Sequence, residues 1–293
     1  MSSNPTSTVH ALDVGVARAL YELSRLRVPP PRALLMLGTG ISTLPERIQN
    51  AQAFALGDLA FPGLWRTSTL WSGALDGCPV WVLEDPLGDP RNDEAAAPWE
   101  GAFPCWLAAR AGARVLLHTS AGLGLAREGA AEPPPGTLVA LRDHVNLSGA
   151  TPLVALAGSQ LGPLFPDVTR LHHDGLRRSA LARAERLGLD VREAVGACTL
   201  GPSLDTPAER RAWALLGADV AVQGLATPLL AAAHSGLATL ALVAVTQGGS
   251  EPAELGAILT ATQTATAALE DWILALGADL TGAARALAAT EDA

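Results

Sequence analysis

The chain alternates short, wholly apolar runs with longer stretches in which apolar residues recur at helical spacing, and it does so almost from end to end. Runs of about four to eight apolar residues mark strands buried on both faces, and such strands need helices packed over them. Val9, Leu12, Val16, Leu20 and Leu23 define a first helix over 9–27, stopped by Pro29-Pro30-Pro31. Ala33 to Leu37 is a buried strand that runs into Gly38-Thr39-Gly40. Trp71 to Leu75 and Val80 to Leu83, joined across Asp76-Gly77, form a hairpin. Residues 85–98 are a loop, 104–111 a helix and 114–118 a strand; after a turn-rich stretch over 128–137, Thr137 to Leu141 is the next strand. An Arg-studded helix over 174–187 precedes a strand over 191–199. Thr206-Pro207 with Glu209 opens a helix over 206–216 with a capping box. A strand (220–222), a helix (228–234), a strand (238–245) and a long Ala-rich helix (251–276) complete the order. This is an α/β pattern, and with no composition break and no internal repeat it predicts one domain over 1–293.

Composition narrows the functional classes. Apolar residues make up 49% of the 293 residues and charged residues 17%, enough to bury a large core. All 20 basic residues other than histidine are arginine, which removes Schiff-base chemistry and a P-loop lysine. A net charge of −9 argues against a nucleic-acid partner. Cys78, Cys105 and Cys198 show no CxxC spacing, and adjacent His172 and His173 diverge, so no metal site is expected. The apolar runs 34–37 and 240–245 fall far short of the roughly 20 residues that cross a bilayer. With a polar N-terminus and no leader pattern, the expectation is a cytoplasmic protein without a membrane partner.

Three segments are more specific. Gly38-Thr39-Gly40-Ile41-Ser42 follows a buried strand and can aim backbone N–H groups at an anion. Leu141 to Leu147, Leu-Arg-Asp-His-Val-Asn-Leu, is a charged cluster at a strand end. Gly201-Pro202-Ser203-Leu204-Asp205-Thr206-Pro207 precedes Leu216-Gly217-Ala218-Asp219. Each has a plainer reading. Asp205 can cap the following helix, Thr39 can serve its turn, Gln247 can satisfy loop backbone, and Arg142, Asp143 and His144 can pair with one another. His118 reads as packed, and Arg177, Arg178, Arg183 and Arg186 as a solvated or interface face.

Together and in this order, with Ala51-Gln52-Ala53-Phe54, His118-Thr119-Ser120-Ala121-Gly122, Phe165-Pro166 and Val245-Thr246-Gln247, these segments resemble the purine nucleoside phosphorylase family in its trimeric branch, which includes methylthioadenosine phosphorylase. The resemblance implies a mixed, partly closed β-sheet surrounded by helices, and a homotrimer. It implies phosphorolysis of a purine nucleoside to free base and ribose 1-phosphate, with inorganic phosphate as co-substrate and no metal or organic cofactor. It places Thr39 at the phosphate loop, and Ser120, Ala121 and Gly122 at phosphate and ribose. Asp205 and Gln247 fall where the family holds the base with Glu and Asn, and Leu204 falls on its Phe. Gln223 and Gly224 fall on a Met and a phosphate-binding Ser. One carboxylate a methylene shorter and one carboxamide a methylene longer shift the polar span by ~1 Å. The phosphate side departs further: Glu84 to Asp89 carries acids where the family has Gly-Arg-Phe-His, and a family His falls near Leu255. Arg66 and Arg91 are the candidate replacement cations. The alternatives are a nucleosidase, with water in place of phosphate, and a non-catalytic nucleoside-binding or assembly member.

Overall fold

The structure, a computed structural model, describes residues 10–38, 41, 43–84, 97–154, 156–248 and 255–291. Its centre is β1 (Ala33–Leu37), buried at all five positions. It lies parallel to both β4 (Cys78–Glu84) and β5 (Val115–Gly124). Its side chains pack alternately into hydrophobic clusters on the two faces of the sheet, both covered by helices, which is why Ala-Leu-Leu-Met-Leu carries no polar residue. β3 (Thr69–Leu75) turns back onto β4 as a hairpin, and β2 (Gln49–Ala55) forms the outer edge. The hairpin turn holds Asp76 at φ 42° and Gly77 at φ 76°, the pair of positive angles that a tight two-residue connection demands.

Beyond β5 the sheet curls on itself. β6 (Leu138–Asn146), β7 (Val191–Thr199), β8 (Val220–Gln223) and β9 (Ala238–Gln247) follow in the order β5-β8-β7-β6-β9, and β9 returns to pair with β5. Five strands thus close a ring while β2-β3-β4-β1 extends from it as an open wing, so the sheet is mixed and partly closed. Within β9, Leu240, Leu242 and Ala244 face one hydrophobic cluster, and Ala241, Val243 and Val245 face another. That is the two-residue period of a strand buried on both sides.

Helices cover both faces. α1 (Ala11–Arg25), α3 (Phe103–Ala111) and α6 (Ala226–Ser235) pack on one side. On the other lie α4 (Asp174–Arg186), α7 (Leu255–Leu274), α8 (Gly277–Glu291) and the single turn α2 (Leu44–Arg47). α5 (Pro207–Leu215) opens with the expected capping box, in which Thr206 accepts from the Glu209 N–H and the Glu209 carboxylate accepts from the Thr206 N–H. Buried tryptophans find acceptors for their indole N–H groups: Trp65 donates to Glu100 O, Trp81 to Pro29 O, Trp106 to His234 Nδ1 and Trp272 to Ala180 O.

The structure corrects the element pattern in four places. β5 runs past its expected end at 118 to Gly124, and β6 past its expected end at 141 to Asn146. β2 has no apolar signature, because its residues are mostly exposed on the sheet edge. The closing Ala-rich region is two helices with a break after Leu274, so the helix expected over 251–276 is followed by α8. Residues 251–254, and 85–96 of the expected loop, lie outside the described residues. Among the described residues no single helix is long and apolar enough to cross a membrane.

Candidate active site

The sheet places a pocket where β5 changes neighbours. β1 pairs with β5 only as far as Leu37 opposite Thr119, and β8 begins pairing at Gly122. Between them, Ser120 and Ala121 pair with β9 on one edge and with no strand on the other. Backbone groups on that free edge are available to a ligand, in the position where α/β sheets bind ligands, beyond the carboxyl ends of strands that diverge. Gly38 makes this parting tight. Its N–H donates to the Thr119 carbonyl and hydroxyl at 3.0 Å each, and a Cβ there would lie 2.4 Å from the Thr119 oxygen. The Gly38 N–H is therefore occupied within the sheet, not aimed at an anion as its Gly-x-Gly setting suggests.

The cavity, about 220 Å³, draws together residues far apart in sequence. Ser120, Ala121 and Gly122 come from β5, Gln223 from β8 and Gln247 from the last position of β9. Leu204 and Asp205 come from the loop before α5. Seven residues singled out in the sequence thus share one pocket. Leu123, Ala221, Thr246 and Ile258 also line it. Ile258 stands on α7, where nothing in the sequence distinguished one apolar position from the next.

Gln247 is 8% exposed, and its Nε2 is buried without a hydrogen-bond partner. A buried, unpaired amide that lines a cavity is a donor waiting for a ligand acceptor. Asp205 is held from the protein side: Trp213 Nε1 reaches Oδ1 at 3.4 Å, and Arg210 Nε donates to the Asp205 backbone carbonyl at 2.9 Å. Thr206, not Asp205, caps the helix, so the Asp205 carboxylate is spared that task. Gln223 donates from Nε2 to Ser203 O at 2.7 Å, and its Oε1 would lie 2.3 Å from a Cβ at Gly201. It braces the loop that presents Asp205. Ser120 Oγ lies 3.4 Å from His118 Nδ1, and Thr246 Oγ1 donates to Gly122 O at 3.3 Å, tying β9 to β5.

Other expected residues stand elsewhere. Gly224 follows Gln223 at φ 74° with its N–H on Thr199 O, and it does not line the cavity. Arg66 closes the short 3₁₀ turn Gly63–Trp65, packed with its carbonyl against Gly57, and is not among the lining residues. Thr39 and Arg91 lie outside the described residues. Among the described lining residues the single formal charge is the Asp205 carboxylate, and there is no His or Cys to hold a metal.

The chain matches the model of the phosphorylase superfamily over residues 41–276. It is 30% identical to purine nucleoside phosphorylase 1 of Geobacillus stearothermophilus over 216 residues, covering 72% of this chain and 76% of that protein. It is 26% identical to purine nucleoside phosphorylase 1 of Bacillus subtilis over 224 residues, covering 75% of this chain and 80% of that one. The fold superimposes on a schistosoma purine nucleoside phosphorylase crystallised with hypoxanthine, with a TM-score of 0.79 at 22% identity over 92% of this chain and 98% of the other. The strand order, the parting of β5 and these matches agree, and the chain belongs to the purine nucleoside phosphorylase family.

Proposed function

We propose that the protein cleaves the N-glycosidic bond of a purine nucleoside with inorganic phosphate, releasing the free base and ribose 1-phosphate. The observation that carries this reading is the convergence of the Gln247 amide and the Asp205 carboxylate on the pocket beside the free edge of β5. A purine presents ring acceptors and N–H donors on adjacent edges. A carboxamide donor and a carboxylate acceptor match that pattern. In the transition state the sugar becomes cationic and the leaving base gains negative charge. The Gln247 N–H then strengthens its hold on the base as charge builds, while Asp205 accepts from a base N–H and keeps the ring in register. Phosphate attacks the anomeric carbon as the bond to the base breaks. The backbone at Ser120 and Ala121, with Thr39, supplies donors to the phosphate and ribose oxygens, and no organic cofactor takes part.

A second reading is supported by the charge of the site. The formal charge among the described lining residues is negative, which opposes a phosphate dianion. Water in place of phosphate would make the protein a nucleosidase. Release of base from inosine and guanosine, with and without phosphate, separates the two: phosphorolysis requires phosphate, and hydrolysis proceeds without it.

We also propose a cytoplasmic homotrimer acting in purine salvage. Membership of the family and the resemblance to its trimeric branch support the assembly, as do the exposed apolar side chains of Leu164, Phe165 and Leu215. Sedimentation at equilibrium tests it.

A further inference from the structure

We propose that Asp143, His144 and His172 form a binding site for a divalent transition metal, remote from the pocket. The three side chains offer ligand atoms that all lie within 4.8 Å of one another. His144 Nδ1 and His172 Nε2 are 3.0 Å apart, with their rings at 62°. A metal about 2.0–2.1 Å from each nitrogen would subtend roughly 95° between them. Small side-chain movements bring that angle toward either tetrahedral or octahedral coordination.

The backbone builds the cluster. β6 carries a register irregularity against β7 between Leu141 and Asp143, which breaks the regular alternation of faces just before His144. Asp143 Oδ1 accepts from the His144 N–H at 2.8 Å, so the carboxylate folds back toward the imidazole. His172 comes from the chain before α4, where it pairs with Thr239 at the start of β9. Adjacent His172 and His173 do diverge: His173 Nδ1 caps α4 by accepting from the Leu176 N–H, which leaves His172 to meet His144. The cluster grades from exposed Asp143 through half-buried His144 to buried His172, which gives an ion an entry path from solvent.

Without metal, the two imidazoles share an N–H···N hydrogen bond. On binding, the imidazole that donated changes tautomer, its proton leaving the nitrogen that faces its partner and one being taken up on its other ring nitrogen, so both facing nitrogens are free to ligate and the histidines release no net proton. His172 Nδ1, the ring nitrogen turned away from His144, is buried without a hydrogen-bond partner. Nearby Arg177 is held by Asp174 and Glu193, which offset its charge. Two imidazoles and one carboxylate suit Zn²⁺, Ni²⁺ or Cu²⁺ and not Mg²⁺ or Ca²⁺. Gln247 lies at the far end of β9 from Thr239, about 26 Å along the strand at ~3.3 Å per residue, so the metal would stand apart from the nucleoside chemistry.

The test is calorimetric titration of the untagged, chelator-treated protein with ZnCl₂ and NiCl₂, alongside the effect of each metal on the melting temperature. The wild type should bind one metal per chain and melt higher in its presence. His144→Gln and Asp143→Asn should weaken binding by at least ~10-fold and lose that upward shift. His173→Asn, which keeps a helix-capping side chain, should bind as the wild type does. His144 is only half-buried, so its variant tests the site without emptying the core. Absence of binding by the wild type, or binding and stabilisation that survive His144→Gln, would overturn the proposal.

Discussion

Gln247 ends β9 with its amide nitrogen buried and unpaired, an arrangement that costs the free protein stability and, in the proposed reaction, supplies the donor to the base. Replacement by Leu removes an unsatisfied group instead of a bond. The melting temperature of Gln247→Leu should therefore stay level or rise, while kcat/KM falls by ~10–100-fold, roughly 1.4–2.7 kcal/mol of transition-state binding. A variant that melts several degrees lower with unchanged kinetics would make Gln247 a structural residue. Trp213 acts one step back, through its long bond to Asp205 Oδ1. Trp213→Phe should raise KM for the nucleoside with less effect on kcat, since the carboxylate stays but is less firmly aimed; loss of kcat alone, with KM unchanged, would argue against positioning. At this scale the sequence marks a polar residue at a strand end, Gln247, and the loop motif containing Asp205, and the structure brings both to one pocket. Trp213 was not legible, because its role depends on the rotation of α5 relative to the loop before it.

Glu270 links elements that surround the pocket. It is 3% exposed on α7, accepts from Thr43 Oγ1 at 2.6 Å and pairs with Arg47 at 3.0 Å, while Arg47 also reaches Asp271. Those two hydrogen-bonded partners hold α7, which carries Ile258, against α2 and the segment before it. Glu270→Ala leaves Thr43 and Arg47 without their buried acceptor and should cost about 1.5–3 kcal/mol in urea unfolding. A loss below ~0.5 kcal/mol would mean that this tie does not contribute. Elements were most legible where an apolar run or flanking turns set their limits: β1, buried throughout, and β7, exposed at Arg192 and Glu193, match their expected limits residue for residue. β2 escaped notice because an exposed edge imposes no alternation. α8 merged with α7 because the alanine content is continuous across the break.

The closure of β9 onto β5 is what makes the whole molecule one site, since it brings position 247 beside positions 120–122. No local pattern encodes that ring; order along the chain and family resemblance pointed to it. The packing that supports it also sets a pH limit. His234, 3% exposed, accepts the Trp106 N–H at 2.9 Å through Nδ1, and burial pushes its pKa below the ordinary histidine value, against a smaller upward pull from Asp13. Below about pH 6.5 the unfolded chain takes up a proton that folded His234 refuses. This contribution to stability is complete above that pH and is lost as pH falls toward the depressed folded value. The urea midpoint should drop between about pH 7.5 and about pH 5, and His234→Gln, which keeps an acceptor for Trp106, should drop less. Equal drops would assign the dependence to other groups.

The central claim is that this pocket transfers a ribosyl group to phosphate. The most direct measurement is the identity of the sugar product when inosine turns over in phosphate buffer, followed by ³¹P NMR. The account predicts ribose 1-phosphate in a one-to-one ratio with hypoxanthine; free ribose with no new phosphate ester would contradict it.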